Sequence, residues 1–309
     1  MVASRWPDVS VVVPTRDRPE LLARAVRSVL TQDYAGVVEC LVVVDRGPVP
    51  SPLGAHELAD RRSCRTLRNT RSAGLPGARN TGVLAATGAL IGFCDDDDWW
   101  EPGKLTAQVR LLQGDPDLLV VSCGIAVHST GRRTVRLGAR VPVTQRDLFR
   151  DRHMEINPCT VLTWREHFVQ TVGLVDEQIP GGYAEDYEWL LRAVRCSPVV
   201  NVPEALVNIA WHESSHFAGR WQVMAAALQY LLERHPEFGQ ERRGYARVAG
   251  QIAFASAAAR DRRAAWRWIA AAVRADWREP RALLAGAVLV GVASPDRVVS
   301  LAHRLGRGV

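Results

Sequence analysis

Short runs of β-branched residues alternate with helical periodicity through the first hundred residues. Runs that are apolar throughout are typical of strands buried on both faces of a sheet. A stretch with apolar residues at helical spacing separates the first two runs, and a glycine-containing loop that passes into a helix precedes the fourth. The predicted strands are 9–13, 37–44, 65–67 and 89–94, the predicted helix is 19–31, and the loop at 73–80 passes into a helix that ends near residue 88.

The polar residues that follow these strands are predicted to group at one edge of a sheet. Strands that alternate with helices favour an α/β fold with a mostly parallel central sheet and helices on both faces. Thr15 (after Pro14), Asp45 and Asp95 each come directly after a strand. Ligands bind beyond the carboxyl ends of strands in such sheets, so we expect these residues to line one crevice.

The rest of the chain predicts a mixed segment and then an all-helical one. The mixed segment has strand-like runs at 118–127, 132–137, 199–202 and 206–210, a mixed apolar stretch at 157–164, and helical patterns at 101–113 and 184–195. Near residue 217 the composition changes to Ala, Arg, Leu and Trp with helical periodicity, so we predict two domains, 1–216 and 217–309. The predicted C-terminal helices are 217–235, 240–259, 262–276, 279–292 and 295–305.

Composition and charge exclude some classes of protein. The chain has 309 residues and a net charge of +6, and Lys104 is the one lysine among 39 basic residues. The arginines are scattered without a long basic run, so a nucleic-acid partner is not predicted. The six cysteines form no CxxC pair, which favours reduced thiols and a cytoplasmic location. The apolar run 282–293 is too short to cross a bilayer, and the N-terminus lacks the apolar core of a signal peptide. Peripheral membrane contact and formation of a homodimer both remain possible.

Four adjacent carboxylates, residues 95–98, follow the fourth predicted strand directly. Such acids repel one another, and burying them unpaired is costly, so a cation is expected to neutralise them. A divalent metal is the natural candidate, because hard cations take oxygen ligands and commonly bridge carboxylates to phosphates. Asp95 and Asp97 are two apart on an extended segment and therefore face the same way. The alternative is a solvated acidic turn.

Three further motifs offer chemistry, and each has a simpler structural explanation. The sequence SAGLPGARNTG at 72–82 suits anion binding at a helix start, where Gly74 and Gly77 let the backbone approach a ligand closely, or is an ordinary glycine-rich turn. Glu185 and Asp186 near a helix start offer a general base, or simply complement the helix dipole. His212 and His216 in WHESSH could complete a carboxylate metal site, or be polar loop residues. The chain lacks the Walker and GxGxxG patterns, and the acid run lacks the glycine of an EF-hand loop.

Taken in order, these motifs resemble the family 2 glycosyltransferases of the GT-A fold. The likeness covers about residues 8–216, through VSVVVPTRDRPELLARAVRSVLTQ, VVVD, AGLPGARNTG, FCDDDDWW, AEDYEWLLR and WHESS. It implies a GT-A domain, Rossmann-like with a mostly parallel sheet, that binds a nucleotide-sugar and transfers the sugar with inversion. The all-α C-terminal extension lies outside the likeness. Its role is open between an acceptor platform, a lid and an oligomerisation region.

The resemblance also implies roles for individual residues. The implied catalytic pair is Asp186, as general base, with Glu185 beside it. The implied metal ligands for Mn²⁺ or Mg²⁺ are the DXD residues Asp95 and Asp97, with His212 as a third. The implied donor-binding residues are Pro14, Thr15, Arg16, Asp45, Arg79, Asn80, Asp95 and Asp96.

Some features depart from the family pattern, and these keep alternatives open. Arg46 stands where the family usually has a second acid, which weakens the prediction of base recognition. FAGRW at 217–221 lacks the glutamine of the processive QxxRW motif, so one transfer per acceptor is predicted. We expect a UDP-sugar, or a dTDP-sugar as second choice, and an acceptor that is a glycan, small molecule, lipid or peptide. One alternative function is a sugar-nucleotide-binding protein without turnover. Another is a nucleotidyltransferase, but that would need a glycine-rich loop after the first strand.

Overall fold

The computed structural model describes residues 6–47, 60–129, 132–211 and 219–304. The chain divides into two compact units. The first comprises Met1–Gln145, His153–Glu177 and Glu185–His212, and the second comprises Arg146–Arg152, Gln178–Ala184 and Glu213–Val309. The short segments that precede residue 185 and belong to the second unit were not anticipated by the predicted division at residue 216.

The first unit is built on a sheet in which nine described strands take part. Its order is β3-β2-β1-β4-β8-β6-β9-β5, with β7 paired to β6. Strands β1, β2, β3 and β4 are parallel, which confirms the α/β fold with its strand ends at one edge. The strands are β1 Val9–Thr15, β2 Val38–Val44, β3 Arg62–Arg68, β4 Leu90–Phe93, β5 Trp99–Trp100, β6 Val120–Ser129, β7 Arg132–Arg136, β8 Leu162–Trp164 and β9 Val200–Ala210.

The far side of the sheet is mixed, and one prediction about it is wrong. Strand β8 runs antiparallel to β4 and β6, while β6 pairs in parallel with β9. The predicted strands 199–202 and 206–210 form one strand, β9, whose register against β6 shifts beside Gly124. Pro203 lies at this irregularity and is exposed. A bulge lets a strand continue past a proline that cannot donate a ladder hydrogen bond.

Helices lie against the sheet through apolar stripes. Helix α1 begins at Pro19, whose missing N–H costs nothing in the first turn, and it buries Leu22, Ala25, Val26 and Val29. Helix α3 begins at Lys104, three residues later than predicted, and Pro102 lies in the turn that precedes it. The bounds are α1 Pro19–Leu30, α2 Leu75–Ala85, α3 Lys104–Gly114 and α5 Glu185–Ala193. Helix α4, Gln145–Arg150, belongs to the second unit except for its first residue.

The second unit contains the five predicted C-terminal helices. They are α6 Trp221–Arg234, α7 Arg242–Ala258, α8 Arg262–Ala275, α9 Pro280–Leu289 and α10 Pro295–Arg304. Helix α7 is buried along most of its length, and small residues such as Ala249 and Ala253 let α8 and α9 pack closely against it. None of the helices in the described ranges is both long and apolar enough to cross a membrane.

Candidate functional site

Two aspartates of the acid turn that follows β4 are buried and two are partly open to solvent. The side chains of Asp95 and Asp97 are 31% and 24% exposed, whereas Asp96 and Asp98 are buried. Burial raises the pKa of Asp96 and raises that of Asp98 well above its usual range, and in both cases neighbouring aspartates add to the effect. The two partly open carboxylates are therefore the better candidates for binding a cation.

Asp96 ties the acid turn to the end of the first strand. Its Oδ2 accepts hydrogen bonds from the Thr15 hydroxyl at 2.7 Å and from the Arg16 backbone N–H at 3.4 Å. Pro14 is buried within β1, directly before these residues. The predicted meeting of the β1 and β4 ends is thus observed, and Asp96 has a structural partner in Thr15.

Asp98 anchors the acid turn to two more distant segments. The Cys159 thiol donates to Asp98 Oδ2 at 3.2 Å, and the Ala210 backbone N–H donates to Asp98 Oδ1 at 3.0 Å. Cys159 Sγ also accepts from the Asp95 N–H at 3.2 Å. Asp95, Asp98 and Cys159 bring potential metal-ligating atoms within 4.8 Å of one another. Because its thiol is already hydrogen-bonded, we interpret Cys159 as a structural residue that holds Asp95 and Asp98 in place.

The Asp97 side chain faces an exposed arginine. Arg18 Nη1 lies 2.9 Å from Asp97 Oδ2 and 3.4 Å from Asp96 Oδ1. Arg24 donates to the Asp97 backbone carbonyl at 2.6 Å and stacks over Trp99. The rim of the crevice therefore carries two guanidinium groups next to the acids, an arrangement that suits a phosphate-bearing ligand.

The glycine-rich loop before α2 is held by Asp45. Asp45 Oδ1 accepts from Asn69 Nδ2 at 2.7 Å and from the Gly74 N–H at 2.8 Å, and Gly74 has a φ of +111° that favours glycine. Gly77 was expected to allow close approach of a ligand. Instead, a Cβ there would lie 1.8 Å from the Ser72 carbonyl oxygen, so the protein's own turn requires this glycine.

Asn80 is fully engaged within the protein. Its amide donates to the Val175 carbonyl at 2.9 Å and to Glu177 Oε1 at 2.7 Å, and its Oδ1 accepts from the Val175 N–H. Glu177 also accepts from Arg71 and from the Ser72 N–H. Burial alone would raise the pKa of Glu177, but these hydrogen bonds lower it to about 2. Asn80 thus holds the segment at 175–177, and its predicted contact with a nucleotide stays a prediction.

Arg79 connects the acid turn to the start of α5. Its side chain is only 4% exposed, and Nη2 donates to Asp95 Oδ1 at 2.7 Å while Nη1 pairs with Glu185. Burial alone would lower the pKa of Arg79, but the carboxylates of Asp95 and Asp186 outweigh it and raise the pKa. A single guanidinium thus links both predicted groups of functional acids.

Asp186 lines a small cavity beside Arg79. The cavity volume is about 30 Å³, which is space for a water molecule rather than a sugar ring. Glu185 is buried and paired with Arg79, whereas Asp186, one residue later, is partly exposed. The other lining residues are mostly apolar: Phe93, Ile156, Asn157, Pro158, Val161, Phe168, Val175, Trp189 and Leu190.

The partly open acids fit a hard divalent cation. Asp95 and Asp97 offer carboxylate oxygens at a crevice rim where further ligands could come from a diphosphate. The predicted third ligand, His212, lies outside the described residues. Three residues with contacts in the site were missed from the sequence, namely Arg18, Cys159 and Glu177. Of these, Arg18 could have been found, because it follows β1 by three residues, whereas the other two come from distant segments.

Comparison with known proteins identifies relatives over part of the chain. The uncharacterised glycosyltransferase EpsJ of Bacillus subtilis is 30% identical over 201 residues, or 61% of this chain and 56% of EpsJ. The enzyme named UDP-Glc:alpha-D-GlcNAc-diphosphoundecaprenol beta-1,3-glucosyltransferase WfgD, of Escherichia coli, is 34% identical over 104 residues, or 34% of this chain and 40% of WfgD. The matches thus span about half the length of these relatives.

Solved structures share the fold at low sequence identity. Residues 1–349 of S. aureus TarS, in complex with UDP-GlcNAc, align with a TM-score of 0.64 at 17% identity, covering 97% of this chain and 92% of that one. The mannosyltransferase PcManGT from Pyrobaculum calidifontis, in complex with GDP-Man and Mn²⁺, aligns with a TM-score of 0.57 at 19% identity, covering 96% and 83%. The family model "Glycosyl transferase family 2" matches residues 10–168. The chain therefore belongs to glycosyl transferase family 2 and has the GT-A fold.

Proposed function

We propose that this protein is a metal-dependent, inverting glycosyltransferase. It moves one sugar from a nucleotide-diphosphate donor to an acceptor nucleophile. The observation that carries the proposal is the Arg79 bridge, because one buried guanidinium joins Asp95 of the DXD acids to Glu185, the residue before the candidate base Asp186. Family membership supports the same reaction class.

The donor occupies the crevice at the strand ends in this proposal. Thr15, Arg16 and Asp96 form one rim of it, and Asp45 with the Gly74 loop forms another. Asp95 and Asp97 would hold Mn²⁺ or Mg²⁺, which would neutralise charge on the diphosphate leaving group. Arg18, exposed beside Asp97, is suited to contact the same phosphates.

Asp186 is the better base of the two adjacent acids. Glu185 is buried and its charge is balanced by Arg79, so proton transfer to its carboxylate would break a buried ion pair. Asp186 is partly exposed and lies near the same guanidinium. In the reaction, the acceptor oxygen forms a bond to the anomeric carbon, its proton passes to Asp186, and the bond from that carbon to the diphosphate oxygen breaks with inversion.

A UDP-sugar is the favoured donor, with a dTDP-sugar second. A UDP-sugar appears in the name of WfgD and in the description of TarS, while PcManGT was solved with GDP-Man. The name of WfgD also makes a lipid-linked diphosphate sugar one acceptor to test. A thermal-shift screen of UDP, dTDP and GDP with and without Mn²⁺ identifies the nucleotide, since a ligand that prefers the folded state raises the melting temperature.

Release of nucleotide diphosphate from a sugar donor tests the proposal directly. Asp97→Ala is expected to abolish metal-supported turnover and Asp186→Asn to lower it by about 10²–10⁴-fold, as for loss of a general base. Asp186→Asn should leave the metal-dependent thermal shift by UDP unchanged, because Asp186 takes no part in donor binding. Arg110→Gln, an exposed change on α3, is the matched control and should retain full activity.

Two outcomes would overturn parts of this proposal. Turnover that survives Asp97→Ala would show that the metal assignment is wrong, and near-full activity of Asp186→Asn would remove Asp186 from the reaction. A wild-type protein that binds UDP with Mn²⁺ but releases no nucleotide from any donor would instead be a sugar-nucleotide-binding protein.

A further inference from the structure

The second unit carries the basic excess of the chain. Between residues 219 and 304 there are fourteen arginines and seven acidic residues, whereas the whole chain has a net charge of only +6. No acidic residue lies within α8, where four arginines occur. Two of the acids near this helix are used locally, since Asp261 caps α8 and Glu279 caps α9.

One face of α8 combines these arginines with exposed aromatic and aliphatic residues. Its members recur at helical spacing, and the pattern continues into the residues just after the helix. We call this the α8 face, and it consists of Arg263, Trp266, Arg267, Val273, Arg274, Trp277 and Arg278, all of them exposed. The other side of α8 packs in the core of the unit through Ala265 and Ala272, so this face is not needed for packing of the bundle.

The exposure of the aromatic residues is large. Trp266 is 55% exposed and Trp277 is 71% exposed, with the Arg278 guanidinium 5.0 Å from the Trp277 ring centre. Within the described ranges, the arginines of the α8 face form no ion pairs with acids. Helix α9 packs against α8 and carries the exposed apolar residue Leu283, and Val290 directly after α9 is also exposed. Tryptophan and arginine together are typical of helices that lie in a membrane–water interface.

We propose that the α8 face binds the surface of a membrane that contains anionic lipids. The arginines pair with lipid phosphates, and Trp266, Val273 and Trp277 enter the headgroup region. A second copy of this chain fits less well, because a two-fold interface would set the same arginines against each other. Nucleic acid also fits less well, because phosphate contacts would leave the apolar Val273 of this face in water.

Binding of the full chain to vesicles tests this proposal without any measurement of turnover. The probe is vesicles with about 30% phosphatidylglycerol in phosphatidylcholine, compared with pure phosphatidylcholine, at low salt and at about 0.5 M NaCl. We expect binding to the anionic vesicles only, with loss at high salt. Brominated lipids should quench part of the tryptophan fluorescence.

Three variants separate the contributions to binding. The charge variant, Arg263→Gln with Arg267→Gln and Arg274→Gln, should lower vesicle affinity by about a hundredfold, roughly fivefold for each arginine. The aromatic variant, Trp266→Ser with Trp277→Ser, should lower it about tenfold and remove the quenching. These positions are exposed, so each melting temperature should match that of wild type. The control is Arg110→Gln with Val141→Ser, exposed positions in the first unit, and it should bind as wild type does.

Several results would overturn the proposal. It fails if wild type does not bind the anionic vesicles, if it binds neutral vesicles equally well, or if the control variant loses as much affinity as the charge variant. Binding of single-stranded RNA without vesicle binding would assign the face to nucleic acid. A dimer in sedimentation that the aromatic variant dissociates would assign it to a second copy of this chain.

Discussion

Replacement of Arg79 by methionine tests the link that joins the two groups of functional acids. Methionine is close in length but removes the charge that faces Asp95 and Glu185. Both Arg79 and Glu185 are nearly inaccessible, so the variant leaves Glu185 as a buried carboxylate without its cation. Removal of one partner of a buried ion pair costs about 3–5 kcal/mol. Asp95 contributes less to this cost, because its side chain is 31% exposed and water can solvate it.

The magnitude is large compared with the stability of an ordinary domain, which is about 5–15 kcal/mol. At about 2–4 °C per kcal/mol for a unit of this size, the melting temperature should fall by roughly 10 °C. Urea unfolding followed by tryptophan fluorescence measures the free energy of unfolding. In the same assay, the double variant Arg79→Met with Glu185→Gln should recover at least half of the lost free energy of unfolding, because it no longer buries an unpaired charge.

An exposed ion pair provides the control for this experiment. Arg146 lies 3.3 Å from Glu241, but its side chain is 86% exposed, so Arg146→Met should change stability little. The reasoning is refuted if Arg79→Met costs no more than Arg146→Met, or if the effects of Arg79→Met and Glu185→Gln simply add. Either result would mean that Arg79 and Glu185 are not energetically coupled.

Three further predictions concern other groups of the first unit. Glu177→Gln should lower the free energy of unfolding by about 2 kcal/mol at neutral pH. The lowered pKa of Glu177 stabilises the fold only while the carboxylate is charged, so this difference from wild type should vanish as the pH falls from about 4.5 to 2. Lys104 is fully buried, and burial lowers its pKa to about 8. The stability of wild type relative to Lys104→Met should therefore rise by up to about 3 kcal/mol between pH 8 and 10.5, since the unfolded chain binds the extra proton there; a flat difference in pH-dependent urea unfolding would contradict this. Gly77→Ala should destabilise the protein by at least about 1–3 kcal/mol in thermal melting, because its Cβ would meet the Ser72 carbonyl, and a variant as stable as wild type would refute that packing argument.

The amino-acid sequence by itself determined the class of fold and the order of most elements. Largely apolar runs at β1, β2 and β4 specify buried parallel strands, and the polar residue after each one identifies the edge where ligands bind. The helical periodicity after residue 217 likewise specified the C-terminal helices. These features are local, because they depend on the period of the apolar pattern and on neighbouring residues only.

Tertiary structure decided which polar side chains are engaged within the protein. Asn80 meets Val175 and Glu177, and Asp98 meets Cys159, across separations of more than sixty residues. No local pattern encodes such a pairing, because it depends on how distant segments pack once the sheet has formed. The same holds for Arg79, which is buried between Asp95 and Glu185, while its predicted contact with the donor stays a prediction.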